Sequence, residues 1–468
     1  MPRIGRLPRD TGVYLTLLIF IGLEMGYMVG DQKQALAALV SAMSGILCWI
    51  VLKQKKIMSG TGFPVFAVLL SGQFFFFICA LQVEFYFYIV LLALVPILIE
   101  RYLKKARQKY MPGTGSIVIM VSGFIISIIY QTVVHRGTYE YLLASDFSFL
   151  LALSVYFITY QLLVLNIISI RQILIALTLS VLPLVLYAVY ASGKQGELSL
   201  LLTERFGANS GHYSANYLAQ MFDFCFPFAL FLALGEKKTY LKIFFIILST
   251  VYYLCMLLTS SRGSVPGILA VPLFFLFRSR SIIVWVAVAT LTIGILGTFG
   301  GRVEERILKP TRSDSFSNMG RVELAKAAHS ILNENHYIFG IGIDNFRREK
   351  LHYGFPVFFD AKGNMSSHNT FLEFWLGWGL LGILGWIGLL IGSFIRVMTT
   401  KLQVGNNYLK YALIFALCSF IVHSLFDSAI SYFTFMVLIV STLSCMSFLP
   451  RLDIRNSGGD RILSTRPD

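Results

Sequence analysis

Three residues of this chain have the types and settings for joint chemistry: His368, Arg262 and Arg205. His368 stands in Ser367-His368-Asn369-Thr370-Phe371-Leu372-Glu373, where the longest polar segment of the chain gives way to an apolar run. A neutral imidazole there can accept a hydroxyl proton near pH 7. Arg262 stands in Thr259-Ser260-Ser261-Arg262-Gly263-Ser264, between two apolar runs. Its guanidinium is permanently charged and matches phosphate bidentately, and the small neighbours let a ligand approach the backbone. Arg205 stands in a small-residue loop that leads through Asn216 into another apolar run, and offers a second phosphate contact. Asn216 is placed to orient either a ligand or that loop.

Simpler readings stand beside these. A lone histidine at a helix start is often a structural hydrogen-bonding group. Arg262 could snorkel or pair at a helix end, and Arg205 could pair with Glu204 in solvent. Glu373 lies little more than one helical turn after His368, and could orient the ring or pair with a loop arginine. The other histidines, among them His212, His329, His336, His352 and His423, show no HxxxH spacing, and the outer loops hold no Asp-x-Asp or clustered carboxylates. The sequence therefore offers no metal site and implies no cofactor.

The elements that must position these residues are apolar helices. Of 468 residues, 56% are hydrophobic and only 13% charged, against roughly a quarter charged in a soluble domain. That makes the fold class all-α, a polytopic integral membrane protein. Apolar runs fall at roughly 12–30, 35–52, 63–81, 85–99, 116–134, 147–170, 172–191, 215–234, 243–258, 265–277, 281–300, 369–395, 408–426 and 430–449. Each is read as a transmembrane helix. The first is too long for a cleavable leader and lacks a small-residue cleavage site. Cys48, Cys79, Cys225, Cys255, Cys418 and Cys445 all lie inside apolar runs and read as packing residues.

The net charge is +15. On a soluble chain this would suggest nucleic acid. Here the basic residues sit in every second short link, which is orientation rather than nucleic-acid binding. Both termini join the basic set, so both are expected in the cytoplasm. Arg205, Arg262 and the long loop at 301–367 then lie outside together. Within that loop, Arg321 to Asn335 reads as an amphipathic helix with Val322, Leu324, Ala325, Ala328, Ile331 and Leu332 at helical spacing, started by Asn318 or Gly320. Gly340-Ile341-Gly342 marks a turn. The loop is expected to fold back over the outer face, making 1–468 one membrane domain.

Three stretches together resemble the bacterial O-antigen ligase and polymerase superfamily. They are Arg205 with Asn216 and Ala219; Ser260-Ser261-Arg262-Gly263-Ser264; and Gly320-Arg321, Phe339-Gly340-Ile341-Gly342, Asn345-Phe346 and His368-Asn369-x-Phe371-Leu372 with Gly377, Gly379 and Gly382. The resemblance covers roughly 205–390. It implies a GT-C-like membrane glycosyltransferase at the outer face of the bacterial cytoplasmic membrane. Such an enzyme moves glycan from a polyprenyl-pyrophosphate carrier to a glycan or lipid-linked acceptor, among membrane lipids and in some cases with a chain-length regulator. By that resemblance Arg205 and Arg262 bind the donor diphosphate, Arg321 is a further motif arginine, and His368 is the general base or positions the acceptor. Asn369, within that signature, and Glu373, just after Leu372, are expected with Asn216 among the substrate-binding residues. About fourteen spans is similar to many polymerases of the family, whereas its ligases carry fewer. The alternatives are an O-antigen ligase acting on lipid A core and, from another class, a transporter of lipid-linked saccharides. A transporter would place its ionisable residues near mid-membrane rather than at one rim.

Overall fold

The computed structural model describes residues 111–134, 139–164, 168–182, 185, 215–259, 261, 263, 312–343, 345–356, 366–428 and 433–452. Among them the chain is helical and has no strand. The helices are α1 (Thr114–Val134), α2 (Tyr139–Val164), α3 (Ile170–Ser180), α4 (Ala215–Gly235), α5 (Thr239–Thr259), α6 (Arg312–Ile331), α7 (Thr370–Thr399), α8 (Asn407–Ser424) and α9 (Phe433–Phe448). Five helical segments, at Thr114–Val133, Ala215–Gly235, Thr239–Thr259, Thr370–Thr399 and Phe435–Leu452, are long and apolar enough to cross a membrane. The expected spans at 12–30, 35–52, 63–81, 85–99, 265–277 and 281–300 lie outside the described residues.

Two expected boundaries are corrected. The span expected at 147–170 begins at Tyr139 and ends at Val164. The stretch Tyr139-Glu140-Tyr141 through Ser145-Asp146 is polar enough to read as loop, yet it continues the backbone ladder. The loop helix expected from Arg321 begins at Arg312. Its buried face also differs: Val322 is 54% exposed, and Ala327 joins Leu324, Ala328 and Ile331 in the core.

The helices pack antiparallel around a polar rim at one end. Ser261, just past the C-terminus of α5, donates to Asn216 Oδ1 at the start of α4 (3.2 Å). On α8, Ser419 donates to Asp223 of α4 (3.3 Å), so the end of α8 faces the start of α4. Thr370 at the start of α7 donates to the Asp427 carbonyl just past α8 (3.1 Å). The starts of α4 and α7 and the ends of α5 and α8 therefore share one rim.

The opposite rim collects basic residues. Arg171 pairs with Glu236. Lys410 Nζ donates to the Met398 and Thr400 carbonyls (2.8 and 2.9 Å), and Arg451 lies over the Tyr160 ring (5.3 Å). These three cations sit at the end away from His368.

The 312–356 segment is fastened by a break in α7. Trp378 (φ −119°, ψ 16°) and Gly379 (φ 64°, ψ −161°) leave helical geometry, and their break frees carbonyls one turn earlier. Those carbonyls are taken by the loop: Ile341 N–H donates to Leu376 O (2.6 Å) and Gly342 N–H to Gly377 O (2.9 Å). Ser127 of α1 also donates to Gly377 O (2.9 Å), and Gln131 donates to Gly340 O (2.9 Å). The loop's own small core, Leu324, Ala328, Ile331, Phe346 and Phe355, closes on Leu376. The Phe-Gly-Ile-Gly turn is thus a plug in a broken helix. An alanine at Gly379 would be held at positive φ and would collide with the Ile338 carbonyl. Gly379→Ala is expected to cost about 2 kcal/mol or more and to release the plug. Limited proteolysis of the 312–356 segment alongside thermal unfolding in detergent checks this; unchanged protection would disprove the fastening role.

Candidate functional site

The site is built at the start of α7. Asn369 is its N-cap, with Oδ1 accepting the Leu372 N–H (3.0 Å). Its Nδ2 donates to Leu425 O (3.3 Å), past the end of α8. The amide expected to bind substrate thus caps one helix and ties it to the next. The residue before it, His368, is the single described non-glycine residue with positive φ (53°). Left-handed backbone costs about 1 kcal/mol or more outside glycine, although histidine visits it more readily than most. That kink turns the side chain away from its own helix and across to the α8–α9 turn.

The ring's partner there is Asp427. His368 Nδ1 is 3.1 Å from Asp427 Oδ1, and Oδ1 also accepts the Ser428 N–H (2.9 Å). An ionised carboxylate can only accept, so Nδ1 carries the proton and Nε2 presents its lone pair. Nε2 has no hydrogen-bond partner among the described residues, and the histidine side chain is 26% exposed. Burial by itself would raise the Asp427 pKa. The His368 hydrogen bond and charge, the nearby His423 ring and the Ser428 N–H outweigh it and hold the carboxyl below its ordinary range. The pair therefore fixes the ring with Nδ1 toward the carboxylate and Nε2 open on the side that faces away from it.

Glu373 contacts the backbone of the same turn. Its Oε1 accepts the Ser367 N–H (2.6 Å), and the residue is 1% exposed. It shapes the backbone leading into His368, whereas the ring is held by Asp427. Asp427 is the residue that sequence reading missed. It lies 59 positions from His368 and belongs to no motif. The available signal was an acid just past an apolar run on the same predicted face.

Asn216 Oδ1 accepts from Ser261, so the residue just before Arg262 is tied to the start of α4. Arg205 and Arg262 themselves lie outside the described residues. Gly263, next after Arg262, packs against the ring of His423 on α8. His423 Nδ1 in turn lies 3.6 Å from Asp223 Oδ2 on α4. The two flanks of Arg262 are therefore set at the same rim as His368. Arg321 sits half-buried on α6 in the loop. Beneath the site, Phe149, Phe374, Trp378 and Trp386 form an aromatic block, with Phe374 stacked on Trp386 at 4.6 Å and Phe149 edge-on to Trp378 at 4.8 Å. That block makes the floor rigid.

Two comparisons bear on this arrangement. Residues 243–387 match the family model described as O-antigen ligase. The teichuronic acid biosynthesis protein TuaE of Bacillus subtilis (strain 168) is 25% identical over 256 residues, covering 50% of this chain and 51% of that protein. The chain thus spans about half the length of this curated relative. Together the matches support the resemblance to the O-antigen ligase and polymerase superfamily and, with the apolar helices, a multi-pass membrane protein. The matched segment contains Arg262, Arg321 and His368, whereas Asn216, His423 and Asp427 fall outside it.

Proposed function

We propose, from the O-antigen ligase match over 243–387, that the chain is a membrane glycosyltransferase that polymerises lipid-linked glycan repeat units. It works in the bacterial cytoplasmic membrane with about fourteen spans, a GT-C-like helical architecture, both termini inside and the site at the outer face. The donor is a glycan on a polyprenyl-pyrophosphate carrier. The acceptor is a sugar hydroxyl of another glycan chain. The observation that carries the reading is the His368–Asp427 pair, held at 3.1 Å with Nε2 open, on the rim where both flanks of Arg262 are anchored.

The steps follow from these groups. The acceptor oxygen attacks the anomeric carbon from the face opposite the diphosphate. The bond from that carbon to the phosphate oxygen breaks, and the electron pair leaves with the diphosphate. The hydroxyl proton passes to His368 Nε2, while Asp427 stabilises the imidazolium so formed. Arg205 and Arg262 offset the charge growing on the leaving group; two permanent cations suffice for this without a metal. A single displacement inverts the anomeric centre. Arg321 lies on the loop above, on the side from which a glycan chain would approach. Similarity to a protein of teichuronic acid biosynthesis favours surface-polysaccharide synthesis over transfer to lipid A core, which would use the same displacement with another acceptor.

The test uses the purified chain in lipid nanodiscs with carrier-linked saccharides extracted from a strain deleted for it. Longer carrier-linked glycans and free polyprenyl pyrophosphate are expected with no ion gradient present. Intact donor after prolonged incubation would overturn the reading. Transfer only when lipid A core is added would make the chain a ligase, and activity only with a gradient across sealed vesicles would make it a transporter.

A further inference from the structure

Below the open His368–Asp427 pair lies a second imidazole–carboxylate pair that the proposed chemistry does not use. His423 of α8 and Asp223 of α4 are each 1% exposed, with Nδ1 and Oδ2 3.6 Å apart. Burying two ionisable groups is costly, and a pair of packed apolar residues often serves stability as well or better. Something other than packing is needed to account for it.

The contacts of His423 supply that account. Its ring lies against Gly263: a Cβ built there would sit 2.9 Å from Nε2 and 3.0 Å from Cδ2 and Cε1. Gly263 follows Arg262 directly, and Ser261 before it is tied to Asn216. Ser261 is thus tied to α4, and Gly263 rests on the His423 ring. The backbone carbonyl of the same histidine accepts the N–H groups of Phe426 (2.9 Å) and Asp427 (3.0 Å), so it seats the carboxylate that holds His368. Asp223 faces the ring across 3.6 Å, and its Oδ1 accepts from Ser419 (3.3 Å).

We propose that His423, set beside Asp223, is a positioning residue that places Ser261 and Gly263, the two flanks of Arg262, relative to the His368–Asp427 pair. This rests on the function proposed above, since it assigns Arg262 to the donor diphosphate. It also gives the glycine after Arg262 a reason: any side chain there meets the ring. Displacing a binding group by about 1 Å can cost 10²-fold in rate.

The experiment is a double-mutant cycle in the nanodisc assay, with kcat and KM for the carrier-linked donor measured separately. Gly263→Ala is expected to lower kcat/KM by about 10²-fold through both KM and kcat, with the shape of the pH profile unchanged. His423→Asn keeps a donor near the Nδ1 position for Asp223 but removes the ring edge from Gly263. In that background Gly263→Ala is expected to cost about tenfold less than in the wild type, because its Cβ then has room. Equal cost in both backgrounds overturns the proposal. Should Gly263→Ala fail to accumulate, Asp223→Asn replaces it: a raised donor KM is expected, and an unchanged one overturns the proposal. A wild-type protein with no transferase activity would instead condemn the function, while a clean additive result with active wild type condemns only the positioning role.

Discussion

Replacing His368 with Ala is expected to lower kcat by about 10²–10⁴-fold, and Asp427→Ala is expected to come within about tenfold of that loss. The double variant should be scarcely worse than His368→Ala, because the two side chains act as one unit. Asp427→Asn separates the two services of the carboxylate. Ser428 N–H and His368 Nδ1 both point at Oδ1, so an asparagine places its carbonyl oxygen there and keeps the imidazole tautomer. What it loses is the negative charge beside the imidazolium. Its activity should therefore lie between wild type and Asp427→Ala; an Asp427→Asn variant as poor as Asp427→Ala would mean that charge, not tautomer, is the whole contribution. The sign of the pH dependence follows from the lowered Asp427 pKa. Ionic pairing supports the fold above the ordinary carboxyl pKa and is lost only as pH falls through the lower folded value. Steady-state kinetics from pH 5 to 9 in nanodiscs, with melting followed in parallel, check each of these outcomes.

The sequence made the helices legible because a bilayer-length apolar run has few other readings, and the described helix at Ala215–Gly235 begins at the expected residue and ends one beyond it. It was less able to find helix that continues into polar residues. Tyr139–Asp146 and Arg312–Asn318 look like loop because their side chains need water, while their backbones are still helical. The break at Gly379 was visible only as one of three glycines in a signature. Its meaning depends on Ile341 and Gly342 arriving from elsewhere to take the freed carbonyls. The same limit explains the site. His368 was legible from its place at a polar-to-apolar border. Its partner was sought nearby, at Glu373, because helical spacing is the reach a sequence shows. Asp427 pairs with it through the antiparallel packing of α7 and α8, and the positive φ of His368 directs the ring there. Neither can be read from spacing along one chain.

Arg262→Ala is the second large effect, expected to lower kcat/KM by about 10²–10³-fold with the protein still folded. The leaving diphosphate departs with a full additional negative charge at a membrane rim, where water screens it less than in bulk. A fixed cation gains strength there. Arg262→Lys should recover only part of the loss, since the ammonium keeps the charge and forfeits the fork that holds two phosphate oxygens at once. Arg205→Ala provides the comparison that decides how the diphosphate is held. If each arginine grips a different phosphate, the double variant loses the product of the single losses. If both grip one phosphate, the second substitution costs little once the first is made. Two phosphates and two widely separated motifs favour the first outcome. The measurement is kcat and KM for the carrier-linked donor across wild type, both single variants, the double variant and Arg262→Lys. Retention of a tenth or more of wild-type kcat/KM by Arg262→Ala would remove this residue from the donor site, and the anchoring of Ser261 on Asn216 and Gly263 on His423 would then be helix packing alone.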